Sequence, residues 1–438
     1  MPLPDPEIVV LGGGPAGSSA ALRLAVDGAR VTIVSPPRVP ATRLESLPVG
    51  GQALCDLPGL RRALDTSAVA VVARRELLWR ERPETLEVTR DAPFLIDRAR
   101  FDRACLAEAI RAGARLETSR ARRDGPEIVL EDGRRWHPVA ILDARGRRGL
   151  RARAPGLPQM VALPFRASDP SGVMRIAAVP DGWLWCAAGP QDRAEGALFC
   201  RAERVAGLDA TERAALVTEA LRSVGLLGAA SGTPSAASLD WAETAMPEAR
   251  VIRIGDRALA RDPIAAHGLV HALRSAAQGS AAALTLLEGG NADAVREFVE
   301  SRHRADVLAA KAVTEAAYAS QARIGTGFWS DIARDPRPET ASPPQDIDVT
   351  RRYALAAPLS RGAALIEGRI RWSPVIEFPA SARRATHVGA LRAETLTRLI
   401  GPPAPLGALL ERLETQVPPT VARTIVRELL DGGALSPV

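Results

Sequence analysis

Glycines 12, 14 and 17 form the pattern Gly12-x-Gly14-x-x-Gly17, placed between a short β-branched run and an Ala- and Leu-rich one. A strand, a glycine turn and a helix in that order make a cradle for a pyrophosphate. Gly12 permits the tight turn, Gly14 lets the backbone approach the phosphates, and Gly17 lets the helix pack on the strand. The helix start, Pro15-Ala16-Gly17, offers unpaired N–H groups to phosphate oxygens. The pattern does not choose between a nicotinamide and a flavin dinucleotide. Where an acidic residue usually takes the adenosine ribose hydroxyls stands Ser35, which makes only a weaker, neutral bond. Trp183 and Trp185 alternate, so on a strand they share one face, either as an aromatic wall for a planar substrate or as core plugs. His267 belongs to the side-chain type that titrates nearest neutral pH, and His271 lies one helical turn beyond it. No nearby cysteine or aspartate pattern completes a ligand set, so no metal site is expected.

The elements that must carry these residues are readable in outline. Glu7–Leu11 reads as a strand, Ala16–Val26 as a helix closed by Gly28, and Arg30–Val34 as a second strand, making a β-α-β unit. Residues 43–95 are mixed. Arg98–Ala112 is a helix ended by Gly113, and a hairpin turns at Asp132-Gly133. Val139–Leu142 and Val251–Ile254 are buried strands, and residues 161–200 read as short antiparallel strands around Gly and Pro turns. Asp209 with Glu212 makes a capping box for a helix running to about Val224. Two long helices follow, Gly268–Leu287 and Ala292–Tyr318. The proline-rich stretch before Thr350 reads as a linker. Beyond it a hairpin region is expected over Ala363–Trp372 and Val375–Phe378, and amphipathic helices over Ala404–Leu413 and Thr420–Leu430.

Three later segments narrow the chemistry. They are Arg98-Ala99-Arg100-Phe101-Asp102; Leu142-Asp143-Ala144-Arg145-Gly146; and Ile254-Gly255-Asp256-Arg257-Ala258, followed by Asp262-Pro263 and Ala266-His267-Gly268. On these the chain resembles the flavoprotein monooxygenase superfamily, in its halogenase-like branch, over roughly residues 7–330. The resemblance implies an α/β (α+β) FAD-binding fold of the p-hydroxybenzoate hydroxylase type. Its parts would be a Rossmann-like FAD domain (1–155 and 250–330), a sheet-rich substrate domain (156–249), a linker (331–350) and a small winged-helix-like C-terminal domain (351–438). It implies FAD as cofactor, with Gly255 and Asp256 at the ribityl-phosphate region and the turn from Pro263 to Gly268 facing the ring. Arg43 and Glu45 belong to a segment that resembles the cofactor cover of this branch, and Arg98 opens the helix of the first matching segment. With the ring beside that turn, His267 is the acid–base candidate, Trp183 and Trp185 the aromatic ones, and the start of the Gly268 helix lends positive dipole to reduced flavin.

The chain has 438 residues, 46% of them apolar, which excludes wholesale disorder and favours more than one domain. Its charge of +6 is the small remainder of 57 basic and 51 acidic residues, which is not the mark of a nucleic-acid binder. Residues 351–438 hold twelve arginines and seven acidic residues, so the surplus is concentrated in the tail, where it could steer an acidic polypeptide. No secretory signal and no membrane span is visible, and Cys55, Cys105, Cys186 and Cys200 are scattered like reduced, buried thiols, so the expected compartment is the cytoplasm.

Gly182-Trp183-Leu184-Trp185 resembles half of a tryptophan halogenase segment, but the other half is missing. Halogenases also need an early lysine, and the one lysine here is Lys311. The resemblance then implies hydroxylation, in which oxygen adds to reduced flavin at C4a and passes to an electron-rich ring. Core and tail together resemble the peptidyl-tryptophan hydroxylases of cysteine tryptophylquinone biogenesis. That resemblance implies a protein precursor as substrate, the small subunit of a quinohemoprotein amine dehydrogenase, with its crosslinking enzyme as a further partner. Electrons would come from NAD(P)H or a separate reductase. A small-molecule aromatic hydroxylase, a prenyl-type reductase and a flavin-binding regulatory protein remain open alternatives.

Overall fold

The computed structural model describes residues 6–37, 43–88, 90–150, 152–153, 155–169, 171–189, 193–321, 323–332 and 350–438. The expected linker falls almost wholly outside them. The described chain divides into two compact units, residues 1–280 with 310–337, and residues 281–309 with 338–438.

In the first unit, β1 (Ile8–Leu11) is buried at all four positions, a pattern that suits only a strand covered on both faces. It runs parallel between β2 (Val31–Val34) and the strand Ala140–Asp143. Val251–Arg253 and Arg115–Glu117 complete a five-stranded parallel sheet. Between β1 and β2 runs the helix α1 (Pro15–Val26), which packs against the helix Arg98–Arg111. The hairpin at Asp132-Gly133 forms with Gly133 at φ +88°.

A second, largely antiparallel sheet has at its centre the strands Met160–Ser168, Arg193–Arg201, Gly182–Ala188 and Met174–Val179. It extends beyond the expected 156–249, because Arg74–Leu78 joins parallel to Met174–Val179 and Glu84–Glu87 pairs with Arg74–Leu78. One face is aliphatic, with Phe165, Leu184 and Leu198 covered by Leu216, Val217 and Leu221 of the helix Ala210–Arg222. The other face is aromatic, built on Trp79, Trp183, Phe199, Tyr318, Phe328 and Trp329. Asp209 and Glu212 cap the helix reciprocally, each carboxylate 2.8 Å from the other residue's N–H. Asp209→Ala is expected to cost about 1 kcal/mol of stability, read as a lower urea midpoint.

In the second unit, Ser360–Ile366 and Arg369–Phe378 form one hairpin rather than the two pieces expected. Glu367 and Gly368 make its two-residue turn with φ +49° and +76°, the geometry that suits the twist of paired strands. Helical residues of the same unit hold the hairpin: Thr285 Oγ1 accepts from Ile370 N at 3.0 Å, and Glu297 Oε2 accepts from Ala363 N at 2.8 Å. The expected helix over Ala404–Leu413 begins only at Leu406, because Ala404–Pro405 pairs with the strand Arg352–Leu355. Leu435–Pro437 pairs with that strand's other edge. Helices Ala393–Ile400, Leu406–Glu414 and Pro419–Asp431 enclose a core that includes Phe378, Leu396, Leu406, Ile425 and Leu429.

Candidate functional site

The glycine cradle has the geometry that its spacing predicts. Gly12 sits at φ +107°, where a Cβ would lie 2.6 Å from Ala144 O; at Gly17 a Cβ would lie 1.9 Å from Gly12 O. Strand, turn and helix therefore approach too closely for any side chain at either position. Gly14 is the extended N-cap of α1 and no side chain caps the helix, so its first N–H groups point to an open, positive end. Ser35 follows β2 within 3.3 Å of where a Gly13 Cβ would stand, beside the cradle. Among the described residues its hydroxyl donates only to Pro36 O, at 3.4 Å.

The second strand-and-turn closes on the same helix end. Gly255 has φ +57°, a Cβ on it would meet the Ala16 Cβ at 2.7 Å, and its N–H donates to Ser275 Oγ at 2.8 Å. Asp256, in this 3-10 turn, keeps a substantially exposed carboxylate facing Arg147 Nε at 3.9 Å. Arg147 Nη1 is buried without a hydrogen-bond partner among the described residues. A buried guanidinium nitrogen left without a partner among the described residues can donate to an anion, and with the two sterically closed glycines the residues present fit a dinucleotide. The segment singled out from the sequence ends at Gly146, one residue short of Arg147. Arg145 and Arg257 instead clamp the buried Asp143, at 2.7–2.8 Å and 3.1 Å. Burial opposes the Asp143 charge, and the two guanidiniums more than offset it, so this carboxyl stays below its ordinary range.

Arg43, Glu45 and Arg98 come together. Arg98 Nη1 donates to both Glu45 oxygens at 2.9 Å and its Nε to Asp102 at 2.6 Å, while Arg43 Nε reaches Glu45 at 2.7 Å. Burial raises the Glu45 pKa, but Arg98 and Arg43 outweigh it and hold the carboxyl down at about 2. This fixes the strand Leu44–Leu47 against Phe94–Asp97. The following turn meets the helix Gly268–Leu287, since a Cβ on Gly51 would stand 3.0 Å from Val270.

Pro263 opens a 3-10 turn that ends at Ala266 in the left-handed region, φ +49°, before Gly268 starts the long helix. His267 is half-buried there. Burial first, then Arg261 and Arg274, lower its pKa, so at neutral pH the imidazole is an uncharged proton acceptor. Trp183 and Trp185 share the aromatic face, but their surroundings differ. Trp183 is 1% exposed, stacked on Phe199 with centroids 4.1 Å apart, so its ring is enclosed by protein. Trp185 is half-buried and, with Leu44, packs against the cluster of Val72, Leu95, Met174 and Ala187.

Behind the turn lies a polar chain that sequence reasoning missed. Trp183 Nε1 donates to Tyr318 Oη at 3.4 Å, Tyr318 donates to Asp262 Oδ2 at 3.0 Å, and Asp262 Oδ1 accepts from Ile264 N at 2.9 Å. Asp262 is 3% exposed, and burial pushes its carboxyl up to about 7. The partners stand 56 and 135 residues apart, and no local pattern signals such a pairing. Among the described residues no cluster of His, Cys, Asp or Glu could hold a metal ion.

This fold is shared with solved flavin-dependent monooxygenases and halogenases. Over its whole length the chain is similar to the solved peptidyl tryptophan dihydroxylase QhpG, essential for tryptophylquinone cofactor biogenesis. That likeness has 25% identity and a TM-score of 0.73, covering 98% of this chain and 100% of that one. It is also similar to CmlS, a flavin-dependent halogenase, at 18% identity and TM-score 0.77, covering 99% and 96% of the two chains. PqsL, a probable FAD-dependent monooxygenase from Pseudomonas aeruginosa, matches at 17% identity and TM-score 0.58 over 75% of this chain and 98% of that one. A tryptophan 2-halogenase of Chondromyces crocatus is 29% identical over 221 residues, 42% of this chain; the match spans 41% of that relative's length. No family model matches.

Proposed function

We propose that this chain is an FAD-dependent monooxygenase that hydroxylates a tryptophan within a protein or peptide precursor during biogenesis of a tryptophylquinone cofactor. The carrying observation is the end-to-end likeness to QhpG, which takes in the C-terminal unit as well as the dinucleotide fold. FAD is the cofactor, and when bound it supplies the activation of oxygen. The first N–H groups of α1 and Arg147 hold its phosphates, Ser35 lies at the adenosine ribose, and Asp256 accepts from a ribityl hydroxyl. Glu45 and Arg98 fix the strand over the cofactor, with Arg43 at its entrance. The start of the Gly268 helix favours negative charge on the ring. His267, kept neutral, takes the proton that the substrate ring releases. Trp185 offers a partly open aromatic face to the incoming indole, and Trp183 supports it from the core.

The chain has one lysine, and Lys311 sits on a helix with its ammonium 3.6 Å from Glu315. With that one ammonium paired to Glu315, the chain has no other lysine to offer halogenation, which favours oxygen transfer. The finer reading is cysteine tryptophylquinone in the small subunit of a quinohemoprotein amine dehydrogenase, with NAD(P)H or a separate reductase as electron source. The arginine-rich C-terminal residues would meet the precursor, in the cytoplasm, a compartment that suits four free, buried thiols. Among the described residues no helix is long and apolar enough to cross a membrane.

The test is to incubate reduced holoenzyme with oxygen and candidate precursor and to weigh the product. Added oxygen on a tryptophan supports the reading. Oxidation of free indoles or phenols with the precursor left intact supports the small-molecule hydroxylase instead. Ser35 gives a separate expectation: Ser35→Glu restores a charged acceptor beside Gly13 and should tighten FAD binding about tenfold, measured by titration of flavin fluorescence.

A further inference from the structure

The scheme above gives Tyr318 and Asp262 no task, yet the hydrogen-bonded chain Trp183–Tyr318–Asp262 ends on the residue that sets the flavin-facing turn. Asp262 Oδ1 caps that turn through Ile264 N, and Oδ2 is held by Tyr318 from the helix Ala292–Ala319. One phenol, one amide and the Arg147 guanidinium are the groups that favour its charge, and burial outweighs them. Tyr318 is itself 98% enclosed, with Trp183 its other polar neighbour. Arg261 precedes Asp262 in sequence, and His267, on the same turn, faces Arg261 and Arg274.

We propose that Asp262 is a positioning residue that stores one proton behind the flavin-facing turn, taking it up when negative charge appears on the ring and releasing it when that charge is lost. Tyr318 is the partner that sets how readily this happens. The claim rests on the flavin reading for what lies in front of the turn, but not for the carboxyl itself. The bonding permits both states. An ionised Asp262 accepts from Tyr318 and from Ile264. A protonated one donates from Oδ2 to Tyr318 Oη and still accepts from Ile264 at Oδ1, so the turn keeps its cap throughout. A negative charge beside the turn raises the proton affinity of a buried carboxyl, because little solvent intervenes to screen it.

Asp262→Asn mimics the protonated state, with Oδ1 accepting from Ile264 and Nδ2 donating to Tyr318. Tyr318→Phe removes the one side-chain donor. The full chain without FAD is titrated first, following tryptophan fluorescence, with Trp183 at the end of the hydrogen-bonded chain as reporter. Wild type should show an inflection near neutrality, Asp262→Asn none, and Tyr318→Phe an inflection moved upward by about one unit, since a bond to the charged form is lost. Holoenzyme is then reduced near neutral pH in weakly buffered solution with an indicator dye, and wild type should take up more protons than Asp262→Asn. An inflection that persists in Asp262→Asn, or its absence from wild type, overturns the assignment of the carboxyl. Equal proton uptake by the two holoenzymes overturns its coupling to the ring. A normal titration in a protein that never retains FAD overturns the flavin reading and the coupling with it, while leaving the buried acid in place.

Discussion

Gly17→Ala should leave a folded protein that purifies without yellow colour and binds FAD at least about a hundredfold more weakly. A Cβ at this position would stand 1.9 Å from the Gly12 carbonyl oxygen and 3.2 Å from Val10 Cγ1. Real carbon atoms never approach so closely, and the nearest atom is backbone, which cannot swing aside as a flexible side chain can. Either α1 moves off β1 or the Gly12 turn opens, and both displace the N–H groups meant for the phosphates. Loss of several hydrogen bonds to charged oxygens, about 1.5–3 kcal/mol each, accounts for the size of the effect. Flavin content after purification and a binding titration give the measurement, with far-UV circular dichroism to establish that the fold survives. Near-normal FAD retention would remove the cradle from the argument.

The second large effect concerns stability and pH. Asp262 has its folded pKa raised to about 7 from 3.8, so between those values the folded chain binds a proton that the unfolded chain has released. The stabilisation is fully present below about pH 4 and is lost as pH rises through 7; a shift of this size corresponds to roughly 4 kcal/mol. Asp262→Asn has no such loss. Its denaturation midpoint relative to wild type should therefore rise steadily between acid and slightly alkaline pH in the FAD-free protein. Glu45 has the opposite sign in another window: held at about 2, it stabilises above about pH 4.5 and its contribution disappears as pH falls toward 2. A pH-independent difference between Asp262→Asn and wild type would show that the carboxyl is ionised in both states.

The parts of this molecule that sequence revealed are those whose signal is local. The β-α-β start, the capping box at Asp209 and the helix Gly268–Leu287 each rest on periodicity or on residues within a few positions of one another. Residues 43–95 gave no such signal, because Leu44–Leu47, Ala68–Val71 and Phe94–Asp97 are four-residue strands that pair only with one another across long gaps. Helix Ala393–Ile400 was missed for a similar reason: it is eight residues long and draws its order from packing of Leu396 and Ile400 in the core. In the candidate site the glycines, Arg43 with Glu45, and Arg98 were legible from motif resemblance, but as members of separate segments; that the two arginines share Glu45 was not. Arg147, Tyr318 and the real surroundings of Asp262 were not, since their meaning lies in who stands beside them after folding.

Because Ala281–Ala309 belongs with the C-terminal residues, the tail is not a detachable module. Excising residues 345–438 would strip Glu297 of its bonds to Ala363 and Arg384, Glu288 of Arg369, and Thr285 of Ile370, leaving two helices with raw flanks. Such a truncation would confound lost recognition with lost solubility. Reversing a few of the exposed arginines in an otherwise intact chain separates the two.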